Sequence, residues 1–184
     1  ANPLALFPIP WVDFTTRTET IKVAGGKPVE IAVRSTRHGP VVSGTYGSLK
    51  DQVNPKDPKA KAFKDRAGID LPARYAIALS WTALTPNSPF EAIWKFDQAR
   101  NWEEFRTAAR GFSVPAQNLL YADVEGNIGY QTPGDIPIRK KGDGTLPVPG
   151  WSGEYDWKGY IPFDELPHVY NPQSGFIATA NNQA

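Results

Sequence analysis

The sequence predicts an α+β fold in which β-structure dominates, and three observations carry that prediction. Stretches of alternating apolar and polar residues, separated by glycine-containing turns, predict antiparallel strands in both halves of the chain. Apolar residues at helical spacing predict two adjacent helices between those groups of strands. Sixteen glycines and eighteen prolines among 184 residues predict many turns. Strands followed by helices and then by strands are typical of the α+β class.

A β-hairpin is predicted near the start of the chain. Residues 18–23 and 29–33 each alternate between apolar and polar side chains, and residues 24–27 between them have the composition of a turn. The sequence Arg37-His38-Gly39-Pro40 interrupts the returning strand, and the two valines that follow are expected to resume it.

The next part of the chain is a polar excursion over residues 43–73, rich in Lys, Asp and Pro and with little periodicity. Its length is unusual inside a compact domain, so it is either a surface excursion or a functional loop. Residues 74–81 (RYAIALSW) then form a largely apolar run, which predicts a buried strand.

Two helices are predicted after this run. The first covers residues 90–99, and the second begins after Asn101, a favourable N-cap. Glu104 stands three residues after Asn101, as in a capping box, and Gly111 marks the helix end. One apolar stripe at helical spacing comprises Trp102, Phe105, Ala109 and Phe112.

The second half of the chain is predicted to return to β-structure. Residues 118–123 and 128–131 form a second hairpin around the turn at 124–127. Residues 132–175 are dense in proline and glycine, which predicts loops and short strands. A final strand is predicted over residues 175–180.

Charge and composition exclude several function classes. Twenty Lys and Arg against nineteen Asp and Glu give a net charge of +1, so we expect no nucleic-acid partner and no anionic membrane surface. The chain has no cysteine, and its two histidines, His38 and His168, are far apart, so a His/Cys zinc site is not expected. Calcium needs only oxygen ligands; Asp135 and Asp143 are candidates, although exposed loop aspartates are the simpler interpretation.

Hydrolase motifs are sparse at the level of single residues. There is no G-x-S-x-G elbow, and Ala1 cannot act as an N-terminal nucleophile that uses its own amine as base. Six Trp and seven Tyr allow a sugar-stacking platform, although aromatic residues more often build cores. The pair Asn181-Asn182 after the final predicted strand is either a turn or an amide donor to an oxyanion. Because Ala1 replaces an initiating Met and no polar tail follows the last strand, the chain is expected to be a fragment.

Six segments occur in a specific order and are together informative. They are residues 35–41 (STRHGPV), 78–82 (ALSWT), 121–130 (YADVEGNIGY), 146–150 (LPVPG), 155–163 (YDWKGYIPF) and 170–178 (YNPQSGFIA). In this order they resemble the β-subunit of the penicillin acylase family of N-terminal-nucleophile hydrolases. The resemblance runs from about Trp11 to the C-terminus and implies that residues 1–184 are an internal part of the β-subunit, one incomplete domain.

The resemblance implies a β-rich part of an αββα sandwich and an amidohydrolase activity. Family members cleave the amide of N-acyl compounds such as penicillins, acyl-homoserine lactones or lipopeptides, through an acyl-enzyme on the N-terminal Ser of the β-subunit. That Ser is expected outside this chain, so the chain alone is expected to be inactive. The expected partners are the α-subunit, the rest of the β-subunit and a small N-acyl substrate; the expected location is periplasmic or secreted.

The resemblance also assigns roles to four residues of this sequence. Asn181 matches the asparagine of the oxyanion hole, and Trp81 matches a position that lines the acyl pocket. Gln117 falls near another pocket position, which is apolar in some relatives. Gly144 lies near a carbonyl ligand of a structural calcium whose other ligands are outside this chain. No cofactor is expected to take part in catalysis, and His38 is expected in a structural turn.

Two alternatives stay open at this point. One is a non-catalytic carbohydrate- or peptide-binding module, indicated by the aromatic residues between 132 and 175 and by the missing nucleophile. The other is a fragment that folds only with its partner chains, and this alternative is compatible with the acylase interpretation.

Overall fold

The computed structural model describes residues 12–43 and 75–180, which divide into two compact units. The first unit comprises residues 12–43, 75–81 and 139–156. The second comprises residues 82–138 and 157–180. The polar excursion predicted over 43–73 lies outside the described residues, except for Ser43, whose side chain is fully buried.

The first unit contains a three-stranded antiparallel sheet. Its strands are β1 (Thr15–Ile21), β2 (Val29–Thr36) and β3 (Gly39–Pro40), arranged in sequence order. The turn between β1 and β2 includes Gly25 at a φ of +72°, a conformation that glycine adopts without steric cost. The predicted first hairpin is therefore confirmed. The break predicted over Arg37-His38-Gly39-Pro40 holds only for Arg37 and His38, because Gly39–Pro40 form β3, and the two valines do not resume the strand beyond one isolated bridge at Val41.

The buried strand predicted over 74–81 is wrong for its described part, which begins at residue 75. This segment forms one isolated antiparallel bridge, between Ala78 and Val41. Trp81 at its end is 54% exposed. The partner of the bridge is short and follows Pro40, which has no N–H group to donate, so the ladder cannot lengthen in that direction.

The second unit contains the two predicted helices, α1 (Pro89–Phe96) and α2 (Trp102–Ala109). Helix α1 ends three residues earlier than predicted. The Asn101 side chain accepts a hydrogen bond from the backbone N–H of Glu104 at 2.9 Å, so the predicted N-cap is confirmed. The Glu104 carboxylate reaches back to the N–H of Arg100, at 2.8 Å, one residue before the position that a capping box usually uses.

Three strands of the second unit form an antiparallel sheet in the order β4-β5-β8. These strands are β4 (Leu119–Ala122), β5 (Ile128–Gln131) and β8 (His168–Tyr170). The pairing of β4 with β5 confirms the predicted second hairpin. Two short strands, β6 (Pro137–Arg139) and β7 (Trp157–Tyr160), pair separately, as expected for a region of loops and short strands.

Helix α2 packs on this sheet through an aromatic core. The Trp102 ring stacks on Tyr170 with centroids 5.2 Å apart, and its centroid is 5.5 Å from that of Tyr121. A Cβ atom at Gly129 would lie 2.5 Å from the Trp102 ring, so glycine is required where the ring meets β5. Trp102 and Ala109 of the predicted apolar stripe are both buried.

The final strand predicted over 175–180 is also wrong. These residues form no strand, and Phe176 is 67% exposed. Alternation and apolar content favoured a strand there, but a strand exists only where the backbone finds a ladder partner. Among the described residues, 175–180 pair with none of the eight strands.

Antiparallel sheets with two short helices confirm the predicted α+β class. In the part of the chain that the structure describes, no helix is long and apolar enough to cross a membrane.

Candidate functional site

The four residues predicted for the site lie in different parts of the chain. Trp81 and Gly144 belong to the first unit and Gln117 to the second, while Asn181 lies outside the described residues. The described residues therefore place three of the predicted site residues, each within its own unit.

Trp81 follows a short extended segment that is fixed to the end of the first sheet. The N–H of Val42 donates to the carbonyl of Ile77 at 2.8 Å, and the N–H of Leu79 donates to the carbonyl of Pro40 at 2.9 Å. Two residues later the indole of Trp81 is 54% exposed. An exposed aromatic ring close to an anchored backbone is available for apolar contact with a ligand.

Gly144 lies in a tight turn with a φ of +84°. Asp143 Oδ1 accepts hydrogen bonds from the backbone N–H and the hydroxyl of Thr145, at 2.9 and 2.7 Å. These hydrogen bonds hold the pKa of the Asp143 carboxyl below its usual range, and the one from the Thr145 backbone N–H has the larger effect. The Arg139 guanidinium lies against Gly144: a Cβ atom on residue 144 would be only 2.7 Å from Arg139 Nη2.

This turn does not by itself fit a calcium ion. The described residues contain no group of three or more His, Cys, Asp or Glu side chains that could hold a metal. The nearest carboxylate, Asp143, is engaged by Thr145, and the positive charge of Arg139 beside Gly144 opposes a cation. The carbonyl ligand that the family resemblance places near Gly144 stays a prediction.

Gln117 stands at the end of a segment that we call the Gln117 segment, residues 113–117. The N–H of Gln117 donates to the carbonyl of Pro133 at 3.3 Å, and the N–H of Asp135 donates to the carbonyl of Ser113 at 2.7 Å. The Gln117 side chain is exposed. Its amide offers both donors and an acceptor to a ligand.

A tyrosine hydroxyl fixes the residue after the Gln117 segment. Tyr130 Oη, from β5, donates to Asn118 Oδ1 at 2.6 Å and lies 2.6 Å from Thr132 Oγ1. Since Tyr130 is part of the β4-β5-β8 sheet, this side of the segment is supported by regular structure.

An ion pair that the sequence did not predict joins three of the six ordered segments. The Arg37 guanidinium donates to both oxygens of the Asp156 carboxylate, at 2.9 and 3.1 Å, and to the Gly150 carbonyl at 2.9 Å. His38 Nε2 lies 3.0 Å from the same carbonyl, which agrees with a structural turn. Opposite charges in two motifs, Arg37 and Asp156, were the available sequence signal.

The Arg37 guanidinium also perturbs its partner. Its hydrogen bonds hold the pKa of the Asp156 carboxyl below the usual range, with smaller contributions from the charges of Arg37, His38 and Lys140. Asp156 therefore stays ionised to a lower pH than an ordinary aspartate does, and hydrogen bonds from Arg37 hold residues 150 and 156 to the turn between β2 and β3.

A second unpredicted cluster ties helix α2 to β5. Arg106 Nε donates to Oε1 of Gln131, a fully buried side chain, at 3.0 Å. Arg106 and Arg110 both donate to Asp164 Oδ1, at 3.1 and 2.6 Å, and both guanidinium groups lie over the Phe163 ring. These contacts satisfy a buried amide and hold α2 on the sheet that also supports the Gln117 segment.

Comparison with known proteins gives one consistent result. A family model described as penicillin amidase matches residues 5–184. The acyl-homoserine lactone acylase QuiP of Pseudomonas fluorescens strain Pf-5 is 34% identical over 175 residues, which cover 94% of this chain and 19% of that protein. Penicillin G acylase of Escherichia coli is 37% identical over 173 residues, covering 94% of this chain and 17% of that protein.

A solved structure shares the fold. The thermostable penicillin G acylase from Alcaligenes faecalis matches with a TM-score of 0.69 and 27% identity, over 96% of this chain and 28% of that chain. The chain thus spans less than one fifth of the length of the two curated relatives.

Proposed function

Because the chain belongs to the penicillin amidase family, we propose that it is part of an amidohydrolase that cleaves the amide of N-acyl compounds through an acyl-enzyme. The observation that carries this proposal is the family match over residues 5–184. Relatives named for two different acyl substrates, a penicillin and an acyl-homoserine lactone, support the common chemistry of amide cleavage.

The catalytic role of this chain is to stabilise negative charge. A serine Oγ outside these residues attacks the amide carbonyl, with its own α-amine as base, and the carbonyl oxygen becomes an oxyanion. The Asn181 amide donates one hydrogen bond to that oxyanion and a backbone N–H outside this chain donates the other. The C–N bond then breaks, the amine leaves with a proton, and water hydrolyses the acyl ester.

The chain also contributes to the acyl pocket. Trp81 and Gln117 are each exposed and each follow a backbone segment that hydrogen bonds hold in place. The indole of Trp81 suits an apolar acyl chain. The Gln117 amide places a polar group where some family members have an apolar one, which restricts the acyl groups that fit.

The partners of this chain are the α-subunit and the rest of the β-subunit. The chain covers only 19% of one curated relative. On helix α1, Phe90, Ile93 and Trp94 are 71%, 47% and 60% exposed, an apolar face that other parts of an acylase would cover. A periplasmic or secreted location completes the proposal.

The carbohydrate- or peptide-binding alternative has less support. Tyr155, one of the aromatic residues that suggested it, lies under the Lys141 ammonium at 5.3 Å. Trp157 makes an edge contact with Tyr160, with centroids 6.2 Å apart. The rings of Tyr155 and Trp157 thus have packing partners within the chain, so a bound sugar is not required to explain their presence.

The experiment that tests the proposal is hydrolysis of an amide panel by the full-length protein that contains this chain. The panel comprises a penicillin, an acyl-homoserine lactone and simple acyl anilides, with release of the amine as the readout. We expect turnover of at least one class and an acyl adduct detectable by intact mass, while the 184-residue chain alone gives none. A processed full-length protein that hydrolyses no member and forms no adduct would contradict it.

A further inference from the structure

One glycine supports the Gln117 segment from behind. Gly134 has a φ of +138°, and a Cβ atom on it would lie 2.7 Å from both Cα and Cβ of Ala116 and 3.3 Å from its backbone nitrogen. Because real Cβ atoms essentially never approach backbone this closely, the segment occupies its position only while residue 134 has no side chain.

We propose that Gly134 is a specificity-determining positioning residue, whose missing side chain sets the depth of the acyl pocket by allowing the Gln117 segment to lie close to residues 133–135. The inference rests on the proposed function, in which Gln117 lines that pocket. Gly134 itself touches Ala116 and not the substrate, so it acts through the segment.

The surrounding contacts decide which side must move when residue 134 gains a methyl group. Pro133 is fully buried and cannot retreat without disturbing packing. Ala116 and Gln117, by contrast, are exposed. The displacement therefore falls on the Gln117 segment, which moves away from Gly134 towards the space in front of its exposed side chains.

Two hydrogen bonds transmit this displacement to Gln117. The bond from the Gln117 N–H to the Pro133 carbonyl, at 3.3 Å, and the bond from the Asp135 N–H to the Ser113 carbonyl, at 2.7 Å, lie on either side of the Ala116 contact. Because both ends of the segment are tied, Ala116 cannot swing aside alone. The shift that relieves the 2.7 Å contact at residue 116 is therefore passed to residue 117.

The consequence is a change in which acyl chains fit. A segment pushed outward makes the pocket shallower, so long acyl groups lose more than short ones. One methylene in a hydrophobic pocket changes kcat/KM by roughly 10–200-fold. We therefore expect Gly134→Ala to lower the ratio of kcat/KM for a decanoyl over a butanoyl p-nitroanilide by about tenfold.

Gly159→Ala is the matched control. Gly159 has a φ of +148°, close to that of Gly134, but an added Cβ there meets nothing within 4 Å. Both substitutions bring the backbone cost of a non-glycine residue at such a φ, and only the one at 134 pushes on Ala116. In the full-length enzyme, Gly159→Ala is expected to leave the decanoyl-to-butanoyl ratio within about twofold of wild type.

A double variant separates positioning from general damage. Ala116→Gly removes one of the two closest atoms, so adding it to Gly134→Ala is expected to recover part of the lost ratio. If Gly134→Ala alone does not yield folded, processed enzyme, the double variant is measured instead. It is expected to lower the decanoyl-to-butanoyl ratio of kcat/KM by less than tenfold. Equal losses of kcat/KM for both anilides, or the same ratio shift in Gly159→Ala, would overturn the proposal.

Gln117→Ala distinguishes this inference from the function on which it rests. If the wild-type enzyme hydrolyses the anilides and Gln117→Ala shifts the ratio while Gly134→Ala does not, only the role of Gly134 is wrong. If neither variant shifts the ratio, the pocket assignment of Gln117 is wrong as well, and amide hydrolysis stands. A wild-type enzyme that hydrolyses no member of the amide panel overturns both this inference and the proposed function.

Discussion

Single residues explain why distant motifs of this chain occur together. Arg37 in the turn after β2 holds the Asp156 carboxylate through two hydrogen bonds and shares the Gly150 carbonyl with His38. The sequence separations exceed 110 residues. No local pattern predicts such a contact, although the motifs that contain these residues were each visible.

The Asp156 ion pair predicts an acid-sensitive contribution to stability. The folded pKa of Asp156 is depressed below the ordinary aspartate value of about 3.9. Its stabilisation is therefore present above about pH 4 and is lost as pH falls through the folded pKa. Asp156→Asn removes the negative charge that pairs with Arg37 and is expected to lower the free energy of unfolding of the full-length protein at pH 7 by about 1 kcal/mol. The expected loss is small because Arg37 is partly exposed to solvent.

Thermal unfolding at pH 7 and pH 3 checks this prediction. The difference in Tm between Asp156→Asn and wild type is expected at pH 7 and should shrink at pH 3. Glu154→Gln is the control, since its pair with Lys141 spans 3.6 Å and both side chains are more than 60% exposed. An equal loss of stability in the two variants would argue against a special role for Asp156.

At the scale of secondary-structure elements, the helices and the two hairpins could be predicted and two strands could not. The cap at Asn101 and its bond to Glu104 join residues three apart, so the sequence contains both partners. Residues 74–81 and 175–180 have strand-like composition, but a strand depends on a partner that local sequence does not reveal. The short ladder beside Pro40 shows how a partner limits a strand.

The N-terminus of helix α2 allows a direct test of the capping role of Asn101. Asn101→Ala removes the acceptor for the Glu104 N–H and should reduce the free energy of unfolding of the full-length protein by about 1 kcal/mol. Urea unfolding with matched m-values measures it. Asn87→Ala is the control, because Asn87 is an exposed asparagine whose side chain donates to the nearby Thr85 carbonyl and caps no helix. Indistinguishable midpoints for the two variants would contradict the capping role.

At the scale of the whole molecule, family and fold were predictable from ordered motifs, while the assembled site was not. The six segments led to the family that the comparisons then showed. The site could not be assembled, since Asn181 lies outside the described residues and the proposed nucleophile belongs to other sequence. Trp81 and Gln117 could be placed only within their own units, so the pocket role of each stays a prediction.

The exposed apolar face of α1 predicts that other parts of the full-length protein bury it. Trp94→Ser in the full-length protein should lower the free energy of unfolding by roughly 2 kcal/mol, because a covered indole loses its apolar contacts. Val124→Ser is the control, since Val124 lies at the tip of the second hairpin and is fully exposed. Denaturant unfolding measures both. A Trp94→Ser variant as stable as wild type would show that this face stays in solvent.

The most direct test of the account is the turnover of Asn181→Ala in the full-length protein, measured with the best substrate of the amide panel. Loss of one oxyanion donor predicts a fall in kcat of roughly 10²–10³-fold, with Tm and KM little changed. Asn87→Ala, an exposed asparagine in the loop before α1, should keep wild-type kcat. Wild-type turnover in Asn181→Ala would contradict the proposed contribution of this chain to catalysis.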